Sequence, residues 1–165
     1  MDAFIASALS NTTISQKNLD NNVLNELLAI LVDSKNFFEQ AEKLVEHEGI
    51  NTIFVEYAAE RGVFKEKIKN LLVSRGAVPI DSGTISGELR KLYTECLALL
   101  DDDPLRLLEQ IKHHELRNLD LLDDLKERAQ TLFVTSIIAQ SRDEIFKASE
   151  RMNQYLTKHQ QTEDH

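Results

Sequence analysis

The chain has 165 residues, 42% of them hydrophobic and 28% charged, with a formal net charge of −9. That length is about one domain and can bury a core without a disulfide or metal staple, and the composition excludes a disordered chain. An acidic surface repels phosphate backbones and anionic lipid, so neither nucleic acid nor a membrane is expected as a partner.

Cys96 is the single cysteine, so an intrachain disulfide is excluded and a reducing, cytoplasmic setting is expected. Residues 1–10 lack the positive start of a signal peptide, and no apolar run reaches membrane-spanning length. With only 5 Gly and 2 Pro, long uninterrupted helices follow.

In chain order, residues 1–18 form an N-terminal arm with a short apolar patch (Phe4, Ile5, Ala8, Leu9). The bundle domain spans 19–156. Its first amphipathic segment runs from about Asp20, a candidate N-cap, to His47, with Leu24, Leu27, Leu28, Leu31, Phe38, Ala41 and Val45 on one face. Gly49 suits a helix end and Asn51 suits the next cap. The second segment then carries Phe54, Tyr57, Ala58, Phe64, Ile68, Leu71 and Leu72 to about Arg75. So short a connection makes the pair an antiparallel hairpin.

Gly76, Pro79, Asp81 and Gly83 break the pattern, and a shorter helix is expected over about Ser86 to Leu100. Asp103 followed by Pro104 is a strong helix start, because Asp caps free amides and Pro needs none. That segment carries Leu105, Leu108, Ile111, Leu119, Leu122 and Leu125. An interruption near Gln130 leads to the last helix, with Phe133, Ile137, Ile138, Ile145, Ala148, Met152 and Tyr155. A polar tail, 157–165, is expected to fray into disorder. Hairpin, long helical crossover, hairpin is the ferritin-like connection of an all-α four-helix bundle.

Polar residues interrupt these apolar stripes: Asp33, Glu60, Arg61, Glu115 and Glu144. At 1.5 Å rise per residue, Asp33 and Arg61 stand at similar distances from Gly49. Glu115 and Glu144 stand at similar distances from Gln130. A polar layer near mid-height is therefore expected. In ferritin-like proteins that level holds a di-metal centre, which needs Glu-x-x-His on two helices so that carboxylate and imidazole share a face. Three residues after Glu60, Glu115 and Glu144 come Val63, Asn118 and Lys147. His113 and His114 adjoin Glu115 but diverge from it by about 100° on a helix; His47, His159 and His165 lie near helix ends or in the tail. The favoured expectation is a buried ion network around Arg61, because a guanidinium among carboxylates competes with a metal ion. The aspartates 101–103 lack the spacing of a calcium loop, and Cys96 lies among leucines as a core thiol.

The stretches Leu31 to Ala41, Glu56 to Arg61 with Phe64, Arg75-Gly76 to Pro79, and Glu115 in the fourth segment together resemble an uncharacterised bacterial family of ferritin-like fold, domain of unknown function 2383, over roughly Leu24 to Met152. The resemblance implies a ferritin-like bundle with a helical crossover and no assigned activity. Gly62 departs from it, standing where the family usually carries a long polar residue, and should admit a close neighbour.

No catalytic residue and no cofactor are expected. The functional expectation is a non-enzymatic bundle that acts by self-association, as a homodimer, or through a protein partner. The alternative is a carboxylate-rich di-iron binding or oxidase-type protein built on Glu60, Glu115 and Glu144, with Glu39 or Glu42 in support.

Overall fold

The computed structural model describes residues 2–81, 90–91, 94–96, 98 and 103–163, with side chains described between residues 14 and 160. All regular structure among them is helical: α1 Asp2–Leu44, α2 Glu48–Ser74, α3 Pro104–Arg128 and α4 Leu132–Glu163. Residues 90–91, 94–96 and 98 of the crossover are also helical; the rest of its expected helix lies outside the described residues.

The helices start and stop where local chemistry dictates, though not always by the expected residue. Asp103 caps α3 as expected, accepting from the Arg106 amide at 3.2 Å, with Pro104 following. At the end of α2, Gly76 has φ +76. The Gly76 and Ala77 amides return to the Val73 and Leu72 carbonyls at 3.0 and 2.9 Å, which closes the last turn through a left-handed residue.

Two expected caps work on a different helix. α1 has no Gly or Pro to interrupt it and runs straight through Asp20. The fully buried Asp20 carboxylate instead accepts from the Gln130 amide and the Thr131 hydroxyl, both at 2.6 Å, and so fixes the start of α4. Asn51 donates to the Glu42 and Val45 carbonyls, closing the end of α1 rather than opening α2. His47 caps α2, its Nδ1 accepting from the Ile50 amide at 3.3 Å. Gly49 lies inside the first turn of α2, where a Cβ would collide with the Tyr155 hydroxyl.

These contacts order the bundle. α1 rises and α2 descends beside it. The crossover begins at the lower end, where Asn25 accepts from the Ile80 amide and Lys69 pairs with Asp81. It reaches the upper core at Cys96, which is buried with Phe37, Phe54 and Leu107. α3 descends and α4 rises. This is an all-α bundle with one full-length crossover between its second and third long helices.

Each helix presents a stripe at alternating spacings of four and three. Buried or half-buried positions are 20, 24, 27, 31, 34 and 38 on α1; 50, 54, 57, 61, 64 and 68 on α2; 108, 111, 115, 118, 122 and 125 on α3; and 134, 138, 141, 145, 148 and 152 on α4. That period makes side chains interlock along a near-parallel bundle. The core divides into an upper cluster around Phe38, Phe54, Tyr57, Ile111 and Met152 and a lower one around Leu24, Leu28, Ile68, Leu122 and Ile138.

Both outer helices run past the bundle. Residues 2–19 of α1 continue below Asp20, about 27 Å of helix at 1.5 Å per residue, and the described part is solvent-facing, with Ile14 55% and Leu19 46% exposed. Residues 157–163, expected to fray, continue α4 to Glu163.

Candidate functional site

Where the two core clusters meet, each helix places a polar side chain on its buried stripe: Ser34, Arg61, Glu115 and Ser141. Arg61 and Glu115 are 3% and 1% exposed, and Arg61 Nη2 lies 2.6 Å from Glu115 Oε2. Two charges taken from water are costly unless matched, and this hydrogen-bonded geometry is what makes the pair tolerable. The guanidinium carbon also lies 5.8 Å from the centre of the Phe38 ring.

The matching is incomplete. Arg61 Nη1 and Ser34 Oγ have no hydrogen-bond partner among the described residues. Beside Arg61 is a cavity of about 20 Å³ lined by Leu31, Glu60, Phe64, Ser141, Glu144 and Ile145. That is room for about one water and no larger ligand.

One turn above, the buried Tyr57 hydroxyl donates to the Ala148 carbonyl at 2.8 Å. Burial, above all, pushes its pKa far up, so the phenol stays neutral. Arg151 lies across the Tyr57 ring at 5.2 Å and pairs with Glu56 and, at 3.4 Å, with Glu60. Burial pushes the Cys96 thiol up to about 12, which leaves it unreactive at neutral pH.

The expected layer is thus realised with altered membership. Arg61 and Glu115 meet as anticipated. Glu60 and Glu144, expected inside, stand exposed at the rim of the small cavity. Neighbouring residues on a helix diverge by about 100°, so when Arg61 faces the core, Glu60 faces outward and finds Arg151. Glu144 likewise precedes the buried Ile145. Asp33 is half-buried, and the adjacent Ser34 takes the inner position.

Ser34 and Ser141 are uncharged and so are not marked by charged interruptions. The heptad spacing could have found both, since each occupies a stripe position between apolar residues. Gly62 does admit a close neighbour: a Cβ there would stand 3.1 Å from the Lys35 side chain, which pairs with Glu39 at 2.5 Å.

His165 lies outside the described residues. His47 caps α2, His159 stacks on Tyr155 at 4.0 Å between ring centres, and His113 is exposed. Among the described residues no group of three or more His, Cys, Asp or Glu side chains is placed to hold a metal ion, and no helix is long and apolar enough to cross a membrane.

A family model described as a domain of unknown function (DUF2383) matches residues 21–128, and the chain belongs to that family. The matched stretch ends at Arg128, the last residue of α3, rather than at Met152. The arm and α4 lie outside it. No curated protein and no solved structure matches the chain.

Proposed function

We propose that this member of the DUF2383 family is a non-enzymatic bundle that works by associating with itself, in a reducing compartment such as the cytoplasm. The observation that carries the reading is the 18-residue reach of α1 below Asp20. Its described residues, 14–19, are largely solvent-facing, and a helix left to solvent has little stability of its own at that length. A partner that covers it removes the instability, and a second copy is the simplest partner available.

Light scattering across a concentration series tests the reading. The full chain is expected at twice the monomer mass, falling toward monomer on dilution; a strict monomer at every concentration would end it.

A carboxylate-built iron site has less support. Glu115 is neutralised by Arg61 and Glu60 by Arg151, so two of its three proposed ligands already hold cations. Anaerobic iron(II) titration with elemental analysis separates the two readings. Sub-stoichiometric metal is expected, whereas two irons per chain would favour an oxidase-type site. The single full-length crossover also makes kinship with ferritin-like folds part of this proposal.

A further inference from the structure

We propose that the groove at the lower end of the bundle receives the N-terminal arm of a second copy, so that two chains exchange arms about a two-fold axis. This rests on the self-association reading and specifies its surface.

The groove measures about 830 Å³ and follows α1 from Leu19 through Val23 to Ala29, with Ile80 of the crossover and Arg128 and Gln130 of the α3–α4 turn around it. Its apolar groups are left to water: Leu19 is 46% and Ile80 62% exposed. The arm supplies the complementary chemistry. Residues 3–16 carry no charge, in a chain of net charge −9, so the arm approaches an acidic surface without like-charge repulsion. At the rim, Glu26 is already neutralised by Arg128 at 2.6 Å.

Connectivity selects the occupant. Arm and groove floor belong to one unbroken helix, so a chain cannot fold its arm into its own groove. The arm of another molecule can reach it. At 100° per residue, positions 4, 5, 8 and 9 fall on the same side of α1 as Leu19 and Val23, so the apolar stripe runs on from the groove along the arm. An antiparallel copy sets positions 4–9 of each chain against 19–26 of the other. One rotation fills both grooves, the self-complementary arrangement of a two-fold dimer. The axis then passes beside the exposed Ser15.

Three variants test this by light scattering, circular dichroism and cross-linking: deletion of residues 2–16, the exposed groove substitution Leu19→Glu, and Ser15→Cys treated with a short bismaleimide. The wild-type chain, whose only thiol is buried, is the cross-linking control. Expected are a dimeric full chain, a monomeric deletion, dimerisation weakened roughly tenfold or more by Leu19→Glu, and cross-linked dimer as the main Ser15→Cys product, with helicity of the bundle kept throughout. A dimer that survives both the deletion and Leu19→Glu overturns arm exchange while leaving self-association standing. Loss of the dimer on deletion alone, with no Ser15 cross-link, overturns the groove as the arm's site. A monomeric full chain overturns both proposals.

Discussion

The middle of the bundle and the projecting start of α1 face opposite versions of one problem. At mid-height, a charged side chain is held inside the core, and Glu115 of the same chain neutralises it. In the arm, helix α1 continues beyond the end of the bundle, where Ile14 and Leu19 stand exposed to water. Mismatch inside a fold must be settled within the chain, because an unpaired buried charge would unfold it. Mismatch outside can be settled between chains.

The sharpest way to break the comparison is to remove the internal match. Glu115→Ala leaves Arg61 buried without its carboxylate and should destabilise the bundle by about 3–5 kcal/mol in urea unfolding; a loss below about 1 kcal/mol would mean that Arg61 swings out to water. The double substitution Arg61→Leu with Glu115→Leu removes both charges together. It should be neutral or stabilising by up to about 4 kcal/mol, so a large loss would show that the pair gives more than mutual neutralisation.

Asp20 tests the lower end, where bundle and arm join. Asp20→Ala strips partners from the Gln130 amide and the Thr131 hydroxyl, and about 1–3 kcal/mol should be lost. Thermal melts at low protein concentration would read this apart from dimer formation. Deleting residues 2–16, by contrast, should leave the isolated subunit within about 0.5 kcal/mol of the full chain, as for changes at a solvated surface. A larger loss would make the arm part of the monomer's own fold.

The smallest effect belongs to the crossover's first contact. The hydrogen bond from Lys69, reinforced by its charge, holds the Asp81 carboxyl below its ordinary value. A lowered folded-state pKa stabilises above the unfolded value and is lost as pH falls through the folded one. Asp81→Asn should therefore reduce stability slightly at neutral pH, and the difference from wild type should vanish in acid. Urea midpoints at the two pH values check it.

Much of this was legible in the residues. The Asp103-Pro104 start, the stop at Gly76 and the long apolar stripes depend on local backbone chemistry, which neighbouring residues determine by themselves. So does the level of Arg61 and Glu115, because rise per residue converts distance from a turn into height. The polar membership was less legible. Glu60 and Glu144 differ from their inward neighbours by one position, about 100° of rotation, and a stripe read from charged residues alone does not resolve that step. Ser34 and Ser141 take the inner positions because each lies on the heptad spacing.

The sequence by itself determined the helices, their order, the single full-length crossover and the need to neutralise a buried arginine, since propensity, turn chemistry and hydrophobic period are local properties. Only the tertiary structure decided that Asp20 fastens the α3–α4 turn, that Asn51 closes the helix before it, that Tyr155 requires a glycine at position 49, and that α1 outruns the bundle. Each of these depends on residues far apart in the chain meeting at one height, and no local spacing encodes which partner will arrive.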